Sequence, residues 1–141
     1  MIREVRSDEY QYLSELWLRT SIKAHSFVPQ NFWVSNLSVM RDEYLPASET
    51  WLIEDESNIV GFMCLVDDQL AALFIAPEKQ GRGLGALLIE KAKKLRSRLE
   101  LSVYTQNTGA VVFYEKHGFA ILVEQQDVHT GFAELVMCWD R

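Results

Sequence analysis

The sequence predicts an α/β (α+β) fold: a mixed, mostly antiparallel central sheet flanked by about four helices. Three observations predict it. Short β-type runs alternate with segments of helical apolar spacing. Three of those runs follow one another across tight polar turns, which makes an antiparallel meander. A Gly-rich loop then leads from the third run into an amphipathic helix. The chain has 141 residues, which fits one domain with one core, taken as residues 1–141. Hydrophobic residues make up 48% and charged residues 24%, a globular rather than a disordered balance.

The elements follow in order. Met1 to Val5 reads as an edge strand. Ser7 can cap a helix with Asp8 and Glu9 in its first turn. Leu13, Leu16, Trp17 and Thr20 then share a helical face to about Ile22. A second helix runs from Phe32 to Leu45 and is ended by Pro46. The meander is Thr50–Glu54, Ile59–Val66 and Leu70–Ala76. The next helix, Leu84 to Leu95, has Leu84, Leu87, Leu88 and Ala92 as its apolar face. Leu99–Thr105 is a strand and Gly109–Lys116 a helix, ended by a left-handed Gly118. Phe119–Glu124 and Phe132–Trp139 close the chain around a turn at His129-Thr130-Gly131. The last of these, read as an edge, can support a homodimer; otherwise the chain is a monomer.

Charge and cysteine usage exclude some classes. The formal net charge of −6 argues against nucleic acid, which needs clustered Lys and Arg, and suits cationic partners such as amines. Cys64 and Cys138 both fall in apolar runs and read as small buried thiols. They and the three histidines have no metal-ligand spacing, so no metal is expected. The N-terminus is charged and no apolar run approaches the roughly 20 residues that span a bilayer, so the expected location is the cytoplasm, away from membranes.

The chemistry concentrates in Gln80-Gly81-Arg82-Gly83-Leu84-Gly85-Ala86. A helix start leaves backbone N–H groups unpaired and partly positive, and glycines let a phosphate approach them. A tight connection explains the same residues. The segment is not a Walker loop, because Ala86-Leu87 follows Gly85 where Lys-Ser/Thr would be needed, nor a dinucleotide fingerprint, whose third glycine is missing. Seven of the fourteen basic residues lie between Lys79 and Arg98. They form either a phosphate-binding patch or a solvated helix face.

Two motifs resemble the GNAT superfamily of N-acetyltransferases. Gln80-x-x-Gly83-x-Gly85-Ala86 resembles its Gln/Arg-x-x-Gly-x-Gly/Ala signature, and the run from Val103 to Phe119 resembles its strand–Asn–helix–Tyr–Gly-Phe segment. The element order is similar over essentially the whole chain. The resemblance implies acetyl-CoA as acyl donor and an amine as acceptor: a protein lysine, a protein N-terminus or a small amine. It implies that Leu73, Phe74 and Ile75 present backbone groups to the pantetheine arm, with Ile75 holding the thioester carbonyl. Gln80, Gly81, Arg82, Gly83, Leu84, Gly85 and Ala86 would wrap the pyrophosphate, and Asn107 would bond the pantetheine. Tyr114 would be the general acid beside the sulfur, and Lys116 a contact near the adenosine. Read as residues alone, Tyr114 is better explained as a core tyrosine with its hydroxyl satisfied locally, and Asn107 as a helix cap, a role compatible with binding as well.

A lysine with pKa about 10.4 must lose a proton before it can attack, so a base is expected. Many GNAT members place a carboxylate on the strand before the Gly-rich loop, and Leu70–Ala76 has none. His25, Glu78 and a water chain are the candidates. The segment from His25 to Trp33 would border the acceptor. Two other readings stay open: an acyl-CoA sensor of the same fold without turnover, and a module for another phosphate ligand.

Overall fold

The structure is a computed structural model that describes residues 1–141. Its centre is a seven-stranded sheet in the order β1-β2-β3-β4-β5-β7-β6. Strands β1 (Ile2–Glu4), β2 (Glu49–Asp55), β3 (Asn58–Val66) and β4 (Gln69–Ile75) form an antiparallel half. Strands β5 (Arg98–Tyr104), β6 (Ala120–Gln126) and β7 (Ala133–Asp140) form a second. The meander and the N-terminal edge strand expected from the sequence are both present.

Two hydrophobic clusters cover the two faces. Helix α1 (Tyr10–Ala24) buries Leu13, Leu16, Trp17 and Thr20, the predicted stripe, against Leu52, Phe62 and Cys64. Helices α5 (Leu84–Leu95) and α6 (Thr108–Lys116) pack on the other face, over Met63, Leu65, Leu101 and Met137. Alternation along β3 explains the split: Phe62 and Cys64 point one way, Met63 and Leu65 the other. Both cysteines are buried and unpaired. No helix is long and apolar enough to cross a membrane.

Four expectations are corrected. The start of α1 is not capped by Ser7: Ser7–Glu9 is a 3-10 turn, and the Glu9 carboxylate accepts the Arg6 N–H at 2.8 Å. The second helix is not continuous. It runs as α2 (Gln30–Ser35), α3 (Leu37–Val39), a π-helical turn at Met40–Tyr44 and α4 (Leu45–Ala47). Pro46 lies inside the last turn; it has no N–H to bond Asp42, and the helix widens just ahead of it. On α5 the buried partners are Leu88, Ile89 and Ala92, while Leu87 is 53% exposed. Finally, Phe132–Trp139 is no edge. β7 runs between β5 and β6, so the free edge is β6, and the basis for a dimer through β7 is removed.

The feature that creates the site is a gap within the sheet. β4 and β5 are parallel and share a single register pair, Gln69 with Glu100. Beyond it the strands part, and the two halves of the sheet open like a V.

Candidate active site

The gap holds a cavity of about 860 Å³, walled by Leu70–Ile75 of β4, Leu101–Tyr104 of β5, the Gly-rich loop and one face of α6. That is near the upper end of the range for small-molecule sites, roughly 300–1,000 Å³. The Ala76 N–H bonds Val60 O on β3 at 2.8 Å. By the alternation of an antiparallel pair, Ile75 turns its own backbone groups the opposite way, into the gap. The Gln80 side chain confirms this by donating to Ile75 O at 3.0 Å. Gln80 therefore ties the loop to the end of β4.

Gly81 and Gly83 both have φ of +80°, and a Cβ on either would meet nothing within 4 Å. Their glycine character serves the left-handed backbone, and the space before them is open. Gly83 caps α5, and the first backbone bond of the helix is Leu87 N–H to Gly83 O at 3.3 Å. The N–H groups of Leu84, Gly85 and Ala86 carry no backbone bond, which is the donor set an anion needs. Gly85 has a packing role: a Cβ there would stand 3.2 Å from Phe113 Cζ.

Gly81, Gly83, Leu84, Gly85, Ala86, Gln80, Asn107 and Tyr114 all line the cavity with Leu73, Phe74 and Ile75. Arg82 and Lys116 do not; both are exposed, outside the lining. The basic stretch is largely engaged elsewhere. Lys79 pairs with Asp55, Arg96 with Glu49 and Arg98 with Asp140. Lys91 lies over Trp51, and Lys93 over Trp139. The unbonded donors at this end of the cavity are backbone N–H groups rather than a lysine cluster.

Tyr114 packs against Phe113 and Phe119, with ring centroids 5.2 and 5.7 Å away. Its hydroxyl has no protein hydrogen-bond partner, and burial pushes its pKa above the ordinary tyrosine value. It is therefore a protonated phenol, free to donate to a ligand. Asn107 caps α6, its Oδ1 accepting from Ala110 N–H at 3.4 Å, and its Nδ2 stands 3.4 Å from His25 Nε2.

His25 lines the cavity among the rings of Phe27, Trp33 and Tyr104. Burial pushes its pKa down to about 4, so it is neutral at physiological pH and a weak proton acceptor. Glu78 is outside the cavity, paired with Arg19 at 2.9 Å.

Sequence reasoning missed the carboxylates that line the cavity, Asp127 and Glu134. The Tyr104 hydroxyl donates to Asp127 Oδ2, and the His129 N–H donates to Oδ1 at 2.8 Å. Burial alone would raise the Asp127 carboxyl, but these bonds outweigh it and hold its pKa below the usual range. Neither carboxylate has a cationic partner in the fold. A shallower cavity of about 290 Å³ adjoins the first and shares Trp33, Ala71, Ala72, Phe74, Tyr104 and Asp127 with it. No sequence signal marks Asp127, because a turn 23 residues beyond Tyr104 brings it to the site.

Residues 46–121 match the family model described as "Acetyltransferase (GNAT) domain". The chain is similar to peptidyl-lysine N-acetyltransferase YiaC of Escherichia coli, 32% identical over 99% of this chain and 96% of that protein. It is also similar to peptidyl-lysine N-acetyltransferase YjaB of Salmonella typhimurium, 36% identical over 85% of this chain and 83% of that one. Among solved structures, apo YjaB from Escherichia coli superposes with a TM-score of 0.86 at 30% identity, covering 99% of this chain and 96% of that one. The PaiA N-acetyltransferase of Thermoplasma acidophilum, solved with coenzyme A, shares the fold at a TM-score of 0.85 and 17% identity, over 100% and 98% of the two chains. The sensor reading and the reading as a module for another phosphate ligand are thereby set aside. The chain belongs to the GNAT acetyltransferase family and is an acetyl-CoA-dependent N-acetyltransferase.

Proposed function

We propose that this enzyme acetylates the side-chain amine of lysine in proteins or peptides. The observation that carries the reading is a cavity whose lining is chemically divided: unpaired backbone N–H groups at the start of α5, and the carboxylates Asp127 and Glu134, neither of which has a cationic partner. The first part suits the pyrophosphate of acetyl-CoA; the second suits a cation. The named activity of YiaC and YjaB supports lysine as that cation.

In this reading the residues take the following roles. The N–H groups of Gly81 to Ala86 hold the pyrophosphate, with Arg82 free to approach from outside, and Lys116 is left to contact the distal adenosine. The β4 backbone at Leu73, Phe74 and Ile75, with Asn107 opposite, holds the pantetheine arm. The neutral amine attacks the thioester carbonyl, the Ile75 N–H stabilises the developing oxyanion, and Tyr114 protonates the departing thiolate. Burial of the phenol suits that role, because it keeps the hydroxyl protonated at neutral pH.

Deprotonating the amine is not a task for His25. Passing a proton from a lysine of pKa about 10.4 to a group at about 4 is uphill by roughly 9 kcal/mol. Water carries the proton outward along the carboxylate-lined mouth. The whole chain, residues 1–141, acts as one acetyltransferase domain, and we place it in the cytoplasm as a monomer or homodimer.

The test is thiol release from acetyl-CoA against a panel of lysine peptides, peptides with a free N-terminus, polyamines and amino acids. Preferential transfer to Nα-blocked lysine peptides supports the reading. Preference for free N-termini or polyamines contradicts it.

A further inference from the structure

The shallower cavity beside the main one is an aromatic groove. Of its lining, Trp17, Trp33 and Met40 are buried, and Phe32 and Phe74 pack against them. Val39 and Tyr44 line it too, yet stay 44% and 38% exposed. A lone exposed apolar side chain is ordinary, but two that share a groove with buried rings mark a contact surface. The broken second helix supplies them. α3 ends at Val39, and the π-helical turn that follows carries Met40 into the core and leaves Tyr44 at the surface. The Tyr44 hydroxyl donates to Ala71 O at 3.4 Å, which ties this segment to β4.

The groove lies on the α1 face of the sheet, where Trp17, Trp33 and Met40 belong to the cluster under that helix. The unbonded N–H groups at the start of α5 are on the opposite face. The two cavities meet at residues that line both, among them Trp33, Phe74, Tyr104 and Asp127. A peptide whose lysine enters the main cavity from the α1 face therefore lays its neighbouring residues across the groove. No lysine or arginine lines the groove, and Asp127 stands at the junction. An acidic neighbour meets a like charge there, whereas an apolar one meets rings.

We propose that this groove binds an apolar side chain within two residues of the target lysine, so that the enzyme selects lysines with a Leu-, Met- or Phe-like neighbour and discriminates against acidic ones. The inference rests on the lysine-acceptor reading and narrows it to a sequence context. In an extended peptide the residue two away points the same way as the lysine, and the adjacent ones point the other way. All four positions are therefore scanned.

The probes are Nα-acetylated pentapeptide amides with a central lysine among serines. Leu, and then Glu, replaces each serine in turn. Nα-acetyl-lysine N-methylamide, which has no neighbouring side chain, is the reference. Thiol release at saturating acetyl-CoA gives kcat/KM for each. At one position or more, Leu should exceed Ser by about fivefold, as partial burial of one side chain implies, and Glu should fall below Ser. Val39→Asn should lower the ratio of that Leu peptide to the reference about threefold. Tyr44→Ser should move it the same way and carries the test if Val39→Asn does not fold. Transfer to the reference with no position favouring Leu over Ser, or a Leu preference unchanged in the folded variants, overturns the groove. So does a Glu peptide that serves as well as the Leu peptide at the favoured position. No transfer to any of these lysine probes overturns it together with the lysine reading.

Discussion

Gly61 of β3 stands directly opposite Ile75 of β4 in the antiparallel pair: a Cβ at position 61 would stand 2.5 Å from Ile75 Cδ1 and 2.7 Å from Phe74 O. The close approach of the two strands sets where the end of β4 sits, and with it the N–H assigned to the oxyanion. Gly61→Ala should cost about 1–3 kcal/mol of stability through overpacking. It should also lower kcat/KM at temperatures where the variant remains folded. Urea denaturation paired with thiol release checks both parts.

Tyr114→Phe should lower kcat about 10²- to 10³-fold, within the usual range for loss of a general acid. Because the hydroxyl bonds no protein group, its removal orphans nothing, and stability should stay within about 0.5 kcal/mol. Affinity for acetyl-CoA, measured by calorimetry, should change less than about threefold. A parallel loss of affinity and rate would make Tyr114 a binding residue instead.

Asp127→Asn keeps the shape of the turn and removes its charge. The KM for a lysine peptide should rise about three- to tenfold, with a smaller effect on kcat, as a solvated ion-pair contact implies. In the wild type, KM should climb with ionic strength, and that dependence should flatten in the variant.

Stability should depend on pH through His25 and Glu9. The His25 pKa falls from 6.5 to about 4 on folding through burial, so between those values the unfolded chain holds a proton that the folded chain lacks. Stability therefore rises from about pH 4 to about 6.5 and is flat in this respect above that. Glu9, bonded to Arg3, falls from 4.5 to about 2, so its contribution is present above 4.5 and lost as pH drops toward 2. Denaturation at pH 5 and pH 7 should show the wild type weaker at pH 5, and His25→Gln should shrink that difference.

Legibility in the sequence divided along physical lines. Strands with local turn signals, such as those joined at Asp67-Asp68, are legible to within a residue or two, and so is the apolar stripe of α1, although the polar Ser14 and Ser21 are buried beside it without any pattern to mark them. Local pattern cannot give the order of strands in a sheet, so the placement of β7 between β5 and β6 was missed. The Gly-rich loop carries its backbone requirement in its own residues. Asp127 and Tyr104 meet only because two strands return to the same end of the sheet. Gly61 had a usable signal, a lone glycine inside an apolar strand, which marks close backbone approach. The groove lined by Trp17, Val39 and Tyr44 had none, since its walls meet only in three dimensions.

The proposed reaction is transfer of acetyl from acetyl-CoA to a lysine side chain through a cavity in which Tyr114 is the acid. Its most direct test is mass spectrometry of an Nα-blocked peptide with one lysine after incubation with acetyl-CoA and either wild-type or Tyr114→Phe enzyme. A single acetyl group on the lysine Nε, formed by wild type and reduced at least about a hundredfold in the variant, is the predicted result. An unmodified peptide with the wild type, or equal modification by both proteins, contradicts the account.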